Sequence, residues 1–205
     1  MSLPSLNRSP AIIRTMSERS DADLMLSFQR ERNYQAFEEL FGRHKDALFR
    51  YLLRLAGHRP TAEDASQQTW LKVIDVARAG GYEERPAVAF RTWVFTLARN
   101  HFIDHYKRSF AETRSVPLPD DDDSPGSGPP DLIETAETNR ELRRAMLTLP
   151  FEQRDVLSLW AAGVEIDHIA AMTGVPRETV LSRKKYAISK LRSAIAPTAD
   201  EEGPT

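Results

Sequence analysis

The sequence predicts an all-α protein of two small helical domains joined by a flexible acidic linker. Two patterns and one break predict it. Apolar residues recur three and four positions apart on both sides of the chain's middle, and no stretch alternates apolar with polar as a strand would. Glycine and proline punctuate these runs at helix-length intervals. Between them, Val116-Pro117-Leu118-Pro119 leads into Asp120–Asp123 and then Ser124-Pro125-Gly126-Ser127-Gly128-Pro129-Pro130, a composition that cannot build a core.

Residues 1–20 are rich in Ser, Pro and Arg without periodicity and read as a flexible leader, with Met16 a second candidate start. The first folded piece spans 21–110. Phe37, Leu40, Phe41, Leu48, Leu52 and Leu55 follow one buried helical stripe. Gly57-His58-Arg59-Pro60 stops that helix, and Thr61-x-x-Asp64 resembles a capping box opening the next. The second helix turns Ala62, Ala65, Thr69, Val73 and Ala77 inward and shows Asp64, Gln67, Gln68, Lys72 and Asp75 on its other side, until Gly80-Gly81 breaks it. A third helix, from about Ala87, carries Phe90, Val94, Leu97 and Ala98 on one stripe. The linker runs over 111–131.

In the second piece, 132–195, Leu142, Met146 and Leu149 mark one helix, and Val156, Leu157 and Trp160 another after Pro150. A short helix over Glu165–Met172, a Thr173-Gly174 break and a long helix from Pro176 to Ile195 follow. Ala170, Gly174 and Val180 have the spacing of a helix-turn-helix: a small residue for close approach, glycine for the turn, valine to plug the joint. Residues 196–205 read as an acidic tail.

Composition excludes several function classes. The chain has 205 residues, no cysteine and a formal net charge of −2 at pH 7. Thiol catalysis and cysteine-ligated zinc are ruled out. No apolar run reaches membrane-spanning length, and a cytoplasmic protein is expected. The balanced total hides a separation. Residues 177–192 hold six cations against Glu178 alone, whereas 109–139 hold eight acids against Arg114. Such separation gives different segments different partners.

The last helix carries the clearest chemistry. Arg177, Thr179, Ser182, Arg183 and Lys185 fall away from Val180, Ala187, Ile188 and Leu191, as a helix that reads base edges and grips phosphates requires. On the third helix of the first piece, Arg91, Arg99, Lys107 and Arg108 interleave with Trp93, Phe95, Phe102 and Tyr106. Cations alternating with rings suit a separated strand, whose bases stack while its backbone is neutralised; some of these rings must also fill the core. His101 and His105 lie one helical turn apart but lack a third ligand at matching spacing, so no metal and no cofactor are expected. No phosphate-binding glycine loop and no nucleophile elbow are present, so no enzymatic activity is expected.

In order along the chain, Phe37-Glu38-Glu39-Leu40-Phe41, Tyr51–Leu55, Ala62–Trp70, Phe90–Asn100 with Ile103-Asp104, Leu149-Pro150-x-x-x-Arg154-x-Val156-Leu157, Ile169-Ala170 and Thr179-Val180-x-Ser182-Arg183 resemble an extracytoplasmic-function sigma factor, a two-domain bacterial transcription initiation subunit. The resemblance implies that Asp64, Gln67, Gln68 and Leu71 dock on the clamp helices of core RNA polymerase. It implies that Arg91, Trp93, Arg99, Asn100, Lys107 and Arg108 engage and open the −10 promoter element, with a flipped base captured within 80–89. Arg177, Glu178, Thr179, Ser182, Arg183 and Lys185 would read the −35 element, and the acidic linker would thread toward the polymerase's RNA path. An anti-sigma factor is a further implied partner, though no residue marks its site. Lys184 departs from the family, which usually places a large apolar residue there; on the Val180/Ala187/Leu191 stripe its ammonium must reach outward or find a partner. Pro176 stands where a capping Ser is common. A stand-alone helix-turn-helix regulator explains 132–195 equally well, but leaves Asp64, Gln67, Gln68 and the Arg91–Arg108 helix without a job.

Overall fold

The computed structural model describes residues 19–85, 88–112 and 141–195, with side chains in the helix ending at Glu112 described as far as residue 105. The leader apart from its last two residues, the linker beyond Glu112 and the acidic tail lie outside the described residues. Among the described residues the fold is helical, with one isolated bridge between Arg85 and Val88 and no strand.

Helix α1, Asp21–Glu31, follows no pattern singled out from the sequence, yet its start is coded locally. Ser20 accepts from the Asp23 amide at 3.1 Å, and the Asp23 carboxylate accepts from the Ser20 amide at 3.3 Å, a reciprocal capping box. Leu24, Met25 and Phe28 then pack inward. Asp21 ties α1 to α2 (Tyr34–Ala56): its carboxylate lies 2.6 Å from His44 Nε2 and 2.8 Å from Arg43 Nη1. Leu40, Leu48, Leu52 and Leu55 are buried as the stripe predicts, whereas Phe37 and Phe41 are half-buried beside Trp70.

Gly57 closes α2 at φ 70°, a left-handed conformation glycine adopts without cost. The expected capping box at Thr61-x-x-Asp64 does not start the next helix. Helix α3 spans Arg59–Arg78 with its N-cap at His58, three residues before Thr61, because Pro60 supplies the fixed φ a first turn wants and lacks the N–H that turn would leave orphaned. His58 makes no side-chain cap but holds Thr61 Oγ1 at 2.9 Å. Ala62, Ala65, Thr69, Val73 and Ala77 are all buried, and Thr69 satisfies its hydroxyl on the Ala65 carbonyl at 2.7 Å. Helix α4 spans Phe90–Glu112, starting three residues later and running two residues further than the sequence suggests.

In the second half, α5 has residues 141–147 described; α6 is Phe151–Ala161, α7 Ile166–Thr173 and α8 Arg177–Ile195. Gly174 caps α7 in the left-handed region at φ 69°, its amide bonded to Ala170 O at 2.9 Å. Val180 is fully buried at the α7/α8 joint, completing the predicted helix-turn-helix. Each fully buried Leu, Phe or Val contributes roughly 1.5–3 kcal/mol. Val156, Leu159, Val164, Ile169 and Val180 belong to the same apolar cluster as the core of α1–α4. One apolar cluster therefore spans both halves, while Met146, Leu149, Leu157 and Ala187 form a second one within the second half.

Candidate nucleic-acid and partner interfaces

On α3, Asp64, Gln67, Gln68 and Leu71 form one exposed row opposite the buried alanines, and Leu71 is 46% exposed. A spacing of three and four residues places them on one helix face. Beside this row, Phe37, Phe41, Phe49, Trp70, Leu71 and Ile74 line an open groove of about 520 Å³ between α2 and α3.

Along α4 the predicted strand-binding residues separate by environment. Trp93 is half-buried, edge-on to Tyr82 at 5.1 Å and tilted against Phe90 at 5.5 Å. Phe95 and Phe102 are buried core rings, and Asn100 is exposed. Lys107 and Arg108 lie in α4, with side chains outside the described residues. The loop before α4 is pinned at its near end: Gln29 Nε2 donates to Tyr82 O at 3.1 Å while the Tyr82 amide donates to Gln29 Oε1 at 2.8 Å. Burial, with smaller contributions from Glu84 and Asp21, pushes the Tyr82 phenol up to about 12. His101 and His105 have ring centroids 6.4 Å apart, and no group of three potential metal ligands gathers among the described residues.

Arg91 and Arg99 face the second half. Arg91 Nη1 donates to Ala162 O at 2.7 Å. Arg99 Nε donates to Asp155 Oδ2 at 2.7 Å and its Nη1 to Met172 O at 2.9 Å, leaving its side chain 14% exposed. Tyr51 OH donates to the other Asp155 oxygen at 3.0 Å. Asp155 is 1% exposed, and burial pushes its carboxyl up against the pull of Arg99, Tyr51 and Arg183. Burial likewise raises the Tyr51 phenol, and the adjacent Asp155 charge reinforces it.

On α8, Arg177, Glu178, Ser182 and Lys185 are exposed and Thr179 half-buried. Arg177 pairs with Asp167 of α7. Arg183, expected on the outward face with these residues, is half-buried, and its charge adds to the pull on the Asp155 carboxyl. Lys184 finds the partner it needs: its Nζ sits 4.5 Å above the Trp160 ring. Asp155 escaped the sequence reading altogether. The available signal was its place between Phe151 and Leu159 at four-residue spacing, an acid on an otherwise apolar stripe.

Comparison with known proteins agrees with this arrangement. Residues 40–110 match the family profile Sigma-70 region 2, and residues 145–193 match Sigma-70, region 4. A chain carrying both, with a helix-turn-helix in the second, is a sigma-70-type transcription initiation protein. The ECF RNA polymerase sigma factor SigL of Mycobacterium tuberculosis is 34% identical over 154 residues, covering 75% of this chain and 85% of the relative. RpoE of Cereibacter sphaeroides is 31% identical over 184 residues, covering 86% and 96%. Two solved structures share the fold: the sigma factor RpoE in complex with the anti-sigma factor NepR from Bartonella quintana (TM-score 0.61, 22% identity, 80% of this chain and 98% of that one) and CnrH in complex with the cytosolic domain of CnrY (TM-score 0.57, 21% identity, 86% and 97%). The chain belongs to the extracytoplasmic-function (ECF) RNA polymerase sigma factors, which are not an enzyme family. No helix among the described residues is long and apolar enough to cross a membrane.

Proposed function

We propose that this sigma factor docks on core RNA polymerase through Asp64, Gln67, Gln68 and Leu71 and directs it, in the cytoplasm, to a restricted promoter class. The observation that carries the docking assignment is the exposed α3 row, an apolar Leu71 among polar residues beside an apolar groove. Exposed apolar surface rimmed by polar groups is what a partner helix covers. Trp70 lines that groove, and its indole N–H is buried with no hydrogen-bond partner among the described residues.

The −10 role falls to Arg91, Trp93, Arg99, Asn100, Lys107 and Arg108, with base capture in the loop over 80–89. Opening a base pair costs a few kcal/mol, so cations and rings on α4 must recover it. The −35 role falls to Arg177, Glu178, Thr179, Ser182, Arg183 and Lys185, and the acidic linker serves the polymerase's RNA path. An anti-sigma factor is a further proposed partner, in keeping with the complex of RpoE with the anti-sigma factor NepR, which shares the fold.

The test mixes the full chain with bacterial core polymerase, follows co-elution and then run-off transcription from a promoter library. A chain carrying Gln67→Ala, Gln68→Ala and Leu71→Ala should lose core affinity by at least about tenfold, the scale of an interface anchor. Duplex DNA binding without co-elution would instead favour a stand-alone helix-turn-helix regulator.

A further inference from the structure

The large apolar side chains left exposed among the described residues include Leu181 and Tyr186 of α8, the helix to which the −35 role falls. Tyr186 ends in a hydroxyl that water or a phosphate satisfies; Leu181 has no polar atom at all. Leu181 is 39% exposed and belongs to neither apolar cluster, so the core does not use it as it uses Val180 and Ala187. It stands three residues after Glu178, one before Ser182 and four before Lys185, a spacing that puts it on the outward face with these exposed residues. Gly174 turns the chain and Val180 is buried at the joint, so this face of the first turns is the one a major groove meets.

The polar members of that face have narrow vocabularies. Ser182 Oγ donates to the Thr179 carbonyl at 3.0 Å and so meets a base as an acceptor. As a carboxylate Glu178 only accepts, and Lys185 only donates. Arg177 is paired with Asp167. None of these groups distinguishes a base by apolar surface. Leu181 distinguishes by nothing else, and in the major groove the apolar group on a base edge is the C5-methyl of thymine. We propose that Leu181 is a specificity residue that reads one thymine methyl in the −35 element. A base pair without that methyl leaves both the groove floor and the Leu181 side chain in contact with water, and the difference is lost apolar burial. This inference rests on the reading of α8 as the −35 helix.

The test uses holoenzyme assembled from the full chain and core polymerase, on a duplex promoter selected from the library. Each thymine of the −35 element, on either strand, is replaced in turn by deoxyuridine, which keeps the pairing and removes the methyl. One replacement should weaken binding of the wild-type holoenzyme by about fourfold, the worth of one buried methyl group. Leu181→Ala should weaken binding to the unmodified promoter by a similar factor and make that replacement silent. Leu181→Arg, selected afresh on the library, should move the preference at that position from thymine to guanine, whose O6 and N7 a guanidinium bonds. Circular dichroism checks that both variants are folded. A selected −35 element in which no thymine is methyl-sensitive overturns the inference. So does a deoxyuridine loss of equal size in the wild type and in Leu181→Ala. The α8 reading is tested separately. The chain has no cysteine, so an iron chelate attached at the exposed Ser189→Cys before assembly reports on α8 alone among its helices. Cleavage of the DNA at the −35 element is expected. Its absence rejects the α8 reading and the Leu181 role with it, whereas cleavage there without methyl sensitivity rejects the Leu181 role alone.

Discussion

At the residue scale, two side chains show how the local environment governs a polar group set against the core. Lys184 lies on a stripe that wants an apolar residue, and the Trp160 ring accepts its ammonium at the edge of that stripe. Trp160 is 43% exposed, which keeps the interaction modest. A double-mutant cycle with Trp160→Ala and Lys184→Met, followed by urea unfolding, should return a coupling of about 0.5–1 kcal/mol. Tyr82 is the second case. Its phenol is raised to about 12, so the folded chain holds that proton more tightly than the unfolded chain, which releases it near 10. Stability is therefore untouched by this group below pH 10 and falls as pH rises from there toward 12. Tyr82→Phe should flatten that alkaline loss when denaturation midpoints are compared across the range, with Tyr51, also raised by burial, retaining part of it.

At the element scale, helices of strong period were legible because a buried stripe needs apolar residues at three and four positions apart. Helix boundaries depended on competition between caps. Thr61-x-x-Asp64 has the spacing of a start, but Pro60 at the head of α3 preempts it, and the reciprocal cap lies at Ser20 and Asp23 ahead of a helix that no buried stripe announces. Ser20→Ala should cost about 1 kcal/mol in thermal or urea unfolding, the usual worth of an N-cap. Gly57 joins the element scale to the next. It has φ 70°, and an added Cβ would fall 2.5 Å from Leu147 Cδ2. Gly57→Ala should therefore destabilise by roughly 1–3 kcal/mol, and Leu147→Ala in the same chain should recover only the steric part, leaving the backbone strain.

At the scale of the whole molecule, the candidate surfaces were legible and their mutual arrangement was not. Asp64, Gln67, Gln68 and Leu71 are exposed together, as one helix face dictates. Arg91 and Arg99 instead turn toward the second half's Asp155 and helix ends, and no local pattern announces it. The bond from Tyr51 to Asp155 joins residues 104 positions apart, a separation over which periodicity carries no information.

The shared core has a calorimetric consequence. Val156, Leu159, Ile169 and Val180 are buried in one cluster with Tyr51, Phe95 and the leucines of α2, so separating the halves hydrates apolar surface and raises heat capacity. Assembly with polymerase, if it opens the chain, carries that positive increment against the negative one from the new interface. Titration calorimetry over a span of temperatures should accordingly find a smaller heat-capacity decrease for the wild-type chain than for one whose halves are already apart.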